Sequence, residues 1–112
     1  MGGRRPLRFL AWKLGLSDDQ FQALAAILSD LKTARAAAGV ERRRASAAYA
    51  DAVRTGTLDA DKSAAASQHH AAADQTIREA VAATIAAIHA LLDDEQRAAF
   101  SLLLREAPPW MM

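Results

Sequence analysis

The sequence contains no cysteine and few aromatic residues. Without cysteine the chain has no disulfide framework, no thiolate metal site and no cysteine nucleophile. Aromatic residues make up only 5% of the chain, and alanine dominates the apolar fraction. Because alanine favours helices but buries little apolar area, we expect a thin core. The helices of such a core either lie very close together or rely on a second subunit, so a homodimer is predicted.

The chain also lacks a strong net charge and a long apolar run. Its formal charge of +1 argues against a globally basic nucleic-acid binder, and its arginines have no interleaved aromatic residues. No apolar stretch reaches the length that spans a bilayer. Arg8 and Lys13 interrupt the apolar stretch near the N-terminus, so no secretory signal is predicted. We therefore expect neither membrane insertion nor nucleic-acid binding.

Catalytic motifs are absent as well. The sequence has no glycine-rich phosphate loop, no Glu-x-x-His pair and no serine elbow. We therefore predict that the protein is not an enzyme and that it needs no cofactor.

The feature around which the chain is organised is a helix start that occurs twice. In Leu16-Ser17-Asp18-Asp19-Gln20, the serine is a good N-cap and the glutamine three residues later closes a capping box. Leu92-Asp93-Asp94-Glu95-Gln96 repeats the device with an aspartate as the cap. Acidic residues in each first turn complement the positive end of the helix dipole. Both segments are therefore predicted to begin helices.

Apolar spacing predicts two long helices between these starts. The first runs from Ser17 to about Arg54, and Gly39 in its middle permits a bend or a close approach. After the turn Thr55-Gly56-Thr57, Asp59 caps a second helix that ends near Leu91. Because the connection is short, the two helices must be antiparallel, and residues whose numbers add up to roughly 113 should face each other.

Short helices complete the predicted all-α fold at both ends of this hairpin. The first follows Pro6 and stops at Gly15, and it folds back over one end of the hairpin. The last begins at the cap in Leu92–Gln96 and is terminated by Ala107-Pro108-Pro109. We expect one domain over residues 1–112, with a loose leader at residues 1–5 and a tail at residues 107–112.

Arginines form the leading candidate binding surface. They are Arg35, Arg42, Arg43, Arg44, Arg54 and Arg78. Arginine combines a permanent charge with a stackable face and an apolar stem, which suits a surface that holds varied unfolded chains weakly. Three consecutive arginines cannot all point one way on a helix. The alternative is therefore a solvated face whose arginines pair with Asp51, Asp74 or Glu79.

Histidines supply a second candidate site. His69 and His70, with Asp74 one turn after His70, offer a metal two ligands, and His89 and Asp93 share that spacing. A zinc, nickel or copper site needs three or four converging ligands, whereas neighbouring histidines diverge by about 100° on a helix. The alternative is that these histidines are simply half-exposed.

The two helix starts resemble the paired Leu-Thr-x-x-Gln motifs of the Spy/CpxP family, which includes periplasmic heavy-metal sensors and zinc-resistance-associated proteins. The leucine and glutamine match in both copies, while Ser17 and Asp93 replace the usual threonine. Leu58-Asp59-Ala60-Asp61-Lys62 is similar to the start of that family's third helix. The likeness covers about Pro6 to Arg105.

The resemblance implies a cradle-shaped homodimer of long antiparallel hairpins in the periplasm, although the cytoplasm stays open because no signal sequence is visible. Members of the family are ATP-independent chaperones that shield unfolding proteins, or sensors of stress and metals. The leading prediction is a holdase-type chaperone that captures partly unfolded proteins on the arginine-rich face. The alternatives are a heavy-metal sensor or resistance protein that uses His69, His70 and His89, and a module for one dedicated protein partner.

Overall fold

The computed structural model describes residues 4–106 of the chain, with side chains from residue 6 onward, as four α-helices. These are α1 (Arg4–Leu14), α2 (Asp18–Ala52), α3 (Ala60–Leu91) and α4 (Asp94–Arg105). No strand occurs between residues 4 and 106, so the all-α prediction is confirmed. None of the helices in this range is long and apolar enough to cross a membrane.

Helix α1 includes the last two residues of the predicted N-terminal leader. The loose leader over residues 1–5 is wrong for Arg4 and Arg5, because α1 already begins at Arg4. Pro6 falls in the first turn of α1, where its missing N–H removes no intrahelical hydrogen bond. The predicted tail at residues 107–112, with its helix-stopping prolines, lies outside the described residues, and α4 ends at Arg105.

Gly15 ends α1 as predicted. Its φ of 63° lies in the left-handed region, where a side chain is strained. The next backbone N–H, that of Leu16, donates to the carbonyl of Ala11 at 3.1 Å and closes a Schellman-type cap. The turn leaves Ser17 free to cap the helix that follows.

The connection between α2 and α3 is closed by local hydrogen bonds. The backbone N–H of Asp59 donates to the carbonyl of Ala52 at 3.0 Å, and Thr55 Oγ1 donates to the carbonyl of Thr57 at 2.8 Å. The Asp59 side chain accepts from the backbone N–H of Lys62 at 3.1 Å, which is the predicted N-cap of α3.

The chain forms two compact units. Unit 1 comprises residues 1–32 and 81–112, and unit 2 comprises residues 33–80. Unit 1 contains the larger apolar core, to which all four helices contribute. Its buried members are Leu10, Leu14, Leu24, Ile88, Leu92 and Phe100. Full burial of a leucine or isoleucine contributes about 1.5–3 kcal/mol. Leu10 and Leu14 attach α1 to this core.

Unit 2 has a core of alanines. Five of them are fully buried: Ala38, Ala45, Ala52, Ala66 and Ala73. They recur every seven residues on α2 and on α3. This spacing is typical of two helices that pack side by side along one continuous line of contact, or seam. Along α2 the buried side chains change from Leu24 and Leu31 to these alanines. Arg42 and Tyr49, which lie between these alanines in the sequence, are exposed, so the alanines alone form the seam of unit 2.

Helix α2 passes through Gly39 without a break, and no other element of the described residues comes close to this glycine. The helix continues without a break from Asp18 to Ala52. A Cβ atom built on Gly39 would meet only Nη1 of Arg43 from the same helix, at 3.6 Å. The expected close approach is therefore wrong, and at this position the glycine carries its usual cost in helix propensity.

Candidate functional site

Two capping boxes open α2 and α4. At α2, the backbone N–H of Gln20 donates to Ser17 Oγ at 3.2 Å, and the backbone N–H of Ser17 donates to Gln20 Oε1 at 2.9 Å. At α4, the backbone N–H of Gln96 donates to Asp93 Oδ1 at 2.8 Å, and that of Asp93 donates to Gln96 Oε1 at 3.0 Å. Each glutamine therefore satisfies an N–H group in front of its own helix.

The two glutamines also bind each other. Gln20 Nε2 donates to Gln96 Oε1 at 2.8 Å, and Gln96 Nε2 donates back to Gln20 Oε1 at 3.0 Å. Each side-chain amide donates its second hydrogen to the backbone carbonyl of the residue that directly precedes the other motif. Gln20 reaches Leu91 at 3.1 Å and Gln96 reaches Gly15 at 3.3 Å. Both amides thus use two donors and two acceptor positions.

We call this arrangement of Ser17, Gln20, Asp93 and Gln96 the glutamine clasp. It ties the starts of α2 and α4 to the last residues of α3 and to the loop after α1, all within unit 1. Only an amide can donate and accept in this way, because a carboxylate lacks the donors. Amides do not titrate, so the pair of glutamines is suited to holding unit 1 together rather than to proton transfer.

Arg44 lies on one side of unit 2, beside Glu41. Its Nη1 atom is 2.9 Å from Glu41 Oε1, and His69 Nδ1 on α3 donates to Glu41 Oε2 at 2.7 Å. The hydrogen bond from His69 is the largest cause that holds the pKa of Glu41 below its ordinary value. Burial opposes this shift and the charge of Arg44 supports it. We call Glu41, Arg44 and His69 the glutamate side.

Tyr49 marks another side of unit 2. Its ring centroid lies 5.9 Å from that of His70, with the ring planes tilted by 40°. Arg42 stands seven residues before Tyr49, which is close to two helical turns, and Arg35 stands two turns earlier again. Val53 donates its backbone N–H to the carbonyl of Tyr49, one turn further on. We call these five residues the tyrosine side.

The tyrosine side combines cations with exposed apolar groups. Tyr49 is 39% exposed and Val53 is 66% exposed. Arg42 is exposed and forms no ion pair with any residue in the described range 6–106, whereas Arg35 is half-buried. An arginine on the same side of a helix as an aromatic ring and a branched aliphatic side chain gives that side both charge and apolar area.

The six predicted arginines do not form one surface. Arg42 and Arg35 lie on the tyrosine side and Arg44 on the glutamate side. Of the remaining three, Arg43 and Arg54 are exposed, with Arg54 just beyond the end of α2. Arg78 Nη2 donates to Gln75 Oε1 on its own helix at 2.7 Å. The sequence therefore identified arginines as candidate binding residues, but the helical geometry places the six side chains on different sides.

The predicted histidine site is divided in the same way. His69 bonds to Glu41, while His70 packs against Tyr49. His89 belongs to unit 1, is exposed, and accepts through its carbonyl a hydrogen bond from Arg97 Nε at 3.0 Å. Within the part of the chain that the structure describes, no group of three or more His, Asp and Glu residues is placed to hold a metal ion.

The whole sequence was also compared with known proteins. A family model described as "LTXXQ motif family protein" matches residues 2–104. The chain belongs to the LTXXQ motif family. This is the family of Spy/CpxP-like periplasmic proteins, so the resemblance drawn from the two helix starts is confirmed. No curated protein and no solved structure matches the chain.

In this LTXXQ protein, the clasp gives the glutamines of the two motifs, Gln20 and Gln96, a structural role. Sequence reasoning predicted each capping box but missed the bond between Gln20 and Gln96, because nothing local indicates a contact across 76 residues. It also missed Glu41. The predicted antiparallel register was a usable signal, because it brings the part of α2 that contains Glu41 close to the part of α3 that contains His69.

Proposed function

We propose that this chain is an ATP-independent, holdase-type chaperone of the Spy/CpxP kind, which captures partly unfolded proteins on the tyrosine side of unit 2. The observation that carries the proposal is the position of Arg42. It is exposed and without an ion pair in the described part of the chain, on the same side as the exposed Tyr49 and Val53. The family membership of the chain supports the same function.

The chemistry of the tyrosine side suits weak and varied contacts. A guanidinium group attracts acidic side chains, and its stem and flat face accept apolar and aromatic ones. Cation–π contacts at exposed sites contribute about 0.5–1 kcal/mol each. A client held by several such contacts binds without a fixed sequence and leaves again as it folds.

We further propose that α2 and α3 form one long antiparallel hairpin and that two copies assemble as a cradle-shaped homodimer. Contacts within each unit support the hairpin. Ala52 with Asp59 and Glu41 with His69 in unit 2, and Gln20 with Leu91 in unit 1, have numbers that add up to about 111. The alanine seam of unit 2 supports the dimer, because it buries little area on its own. Sedimentation velocity tests the dimer.

Arg42 and Arg44 provide a matched pair for the test. Both are exposed arginines on α2, but Arg44 is paired with Glu41 whereas Arg42 is not. The assay is the suppression of aggregation of reduced α-lactalbumin without nucleotide. We expect the wild-type chain to suppress aggregation, and Arg42→Ser to weaken suppression about twofold to fivefold, which corresponds to one lost contact. Arg44→Ser should leave it unchanged.

One outcome would contradict the chaperone function, and another would contradict the proposed binding surface. If a several-fold molar excess of the wild-type chain leaves aggregation unaltered, the proposed function is wrong. If Arg42→Ser and Arg44→Ser weaken suppression equally, clients are not selected by the tyrosine side. Circular dichroism on both variants ensures that a loss of helix is not the cause.

Membership of the LTXXQ family, which consists of Spy/CpxP-like periplasmic proteins, supports a periplasmic location. Fractionation of cells that express the full gene would test this location.

A metal-responsive role is the alternative proposal, and one observation favours it. His69 Nδ1 and a carboxylate oxygen of Glu41 lie 2.7 Å apart, which places two ligand types of zinc, nickel and copper side by side. Further ligands would have to come from a second subunit. Calorimetry with nickel or zinc should then give a signal that His69→Ala removes and His89→Ala leaves. A flat titration of the wild-type chain contradicts this role.

A further inference from the structure

A groove of about 400 Å³ opens between the last turns of α3 and the outer face of α4 in unit 1. Its floor is apolar and consists of Ile85, Phe100 and Leu104. Phe100 is only 5% exposed and belongs to the core of unit 1, so the floor is backed by packed side chains. A volume of this size is in the range of small-molecule sites, about 300–1,000 Å³.

The rim of the groove is basic. It is lined by Arg97, Arg105 and His89 together with Ser101, and no acidic side chain of residues 6–106 lines it. Arg97 is held in place from two directions, because its Nε donates to the carbonyl of His89 at 3.0 Å and its Nη1 donates to Asp94 at 3.1 Å. A guanidinium group has five N–H donors, so three remain for a ligand.

Arg105 supplies the second positive charge. It lies in the last turn of α4, is exposed, and forms no ion pair with another side chain in residues 6–106. Asp94, the acidic partner of Arg97, has a fully exposed side chain, so water and salt screen its charge. An apolar floor beneath two arginines is therefore complementary to an anionic head on an apolar chain.

We propose that this groove binds one medium-chain fatty-acid anion. The alkyl chain lies over Phe100 and Leu104, and the two rim arginines, Arg97 and Arg105, supply the positive charge and the N–H donors that attract the carboxylate. Arginine is suited to this head group because its planar donors match the two oxygens of a carboxylate. The groove is in unit 1, whereas the proposed client surface is in unit 2, so the two proposals stand or fall separately.

Calorimetric titration of the full chain with monomeric decanoate tests the site. We expect saturable binding of one decanoate per chain. Decylamine has the same chain with the opposite charge and should bind at least about tenfold more weakly, since two arginines would repel it. Decanol, which has no charge, should fall between the two. Equal affinities for the three ligands would overturn the proposal.

Substitutions on α4 locate the ligand. Ser101→Trp fills the groove and should weaken decanoate binding about tenfold or more. The matched control is Ala98→Trp, because Ala98 is an exposed residue of the same helix and does not line the groove. Arg105→Gln should weaken decanoate several-fold and leave decanol unchanged.

Helix content and thermal unfolding are measured for every variant, so that a loss of fold is recognised. Unchanged decanoate affinity in Ser101→Trp overturns the site even if decanoate binds elsewhere. If decanoate does not bind and Ser101→Trp instead shifts the sedimentation coefficient of the chain, the groove is an interface between copies. The proposal is then wrong.

Discussion

The glutamine clasp predicts a strong energetic coupling between two residues that are 76 positions apart. Gln20→Ala removes four hydrogen bonds of the Gln20 side chain: to the N–H of Ser17, the carbonyl of Leu91, and both amide atoms of Gln96. At about 0.5–1.5 kcal/mol for each net hydrogen bond, with water replacing part of the loss at this half-buried site, we expect a cost of about 2–3 kcal/mol. Gln96→Ala should cost a similar amount.

The double variant separates the clasp from two independent caps. The two bonds between the glutamines are lost once in either single variant, so the double variant should be more stable than additivity predicts by about 1–3 kcal/mol. The assay is urea unfolding followed by far-UV circular dichroism, which gives the free energy of unfolding. Gln22→Ala is the control, because Gln22 is an exposed glutamine that lies in the same helix, two residues after Gln20. It should change the free energy by less than about 0.5 kcal/mol. Additive effects of the two clasp substitutions, within about 0.3 kcal/mol, would refute the clasp.

Three further predictions concern unit 2. Gly39→Ala should stabilise the chain by about 1 kcal/mol in urea unfolding, because a Cβ atom there meets only the flexible end of Arg43; a destabilised variant would show that the site cannot hold a methyl group. Ala45→Leu should lower the free energy of unfolding by about 1–3 kcal/mol, because Ala45 is fully buried in the alanine seam. Ala47→Leu, at an exposed position, should leave it nearly unchanged. Equal effects would mean that the seam is loosely packed. The third prediction concerns Glu41, whose pKa is lowered from 4.5 in the folded chain. Its stabilisation is therefore present above pH 4.5 and is lost as the pH falls through the lower, folded value. Wild-type stability should decline more than that of Glu41→Gln on acidification below pH 4.5, and parallel curves would contradict the contact with His69.

Local patterns predicted the local structure well. The capping boxes at Ser17 and Asp93, the stop at Gly15 and the cap at Asp59 each depend on residues within one helical turn, so their physics is contained in the sequence. The seven-residue recurrence of alanine in α2 also follows from spacing. These features account for the number and the limits of the helices.

The binding surfaces depended on tertiary contacts that spacing does not fix. A shift of one or two residues in the register between α2 and α3 decides whether Arg42 or Glu41 meets His69, and neighbouring residues differ by about 100° around a helix. The same shift decides which arginine is neutralised by an ion pair. Gly39 does not interrupt α2, because the propensity of one glycine does not break a long helix whose other residues favour it.

The most direct measurement of client capture is the NMR spectrum of the ¹⁵N-labelled chain titrated with an unfolded client, such as reduced and alkylated α-lactalbumin, in the absence of nucleotide. Capture on the tyrosine side predicts that the largest amide shifts and line broadening occur at Arg42, Tyr49 and Val53, with little change at Arg44. Changes confined to unit 1, or spread evenly over all four helices, would contradict it.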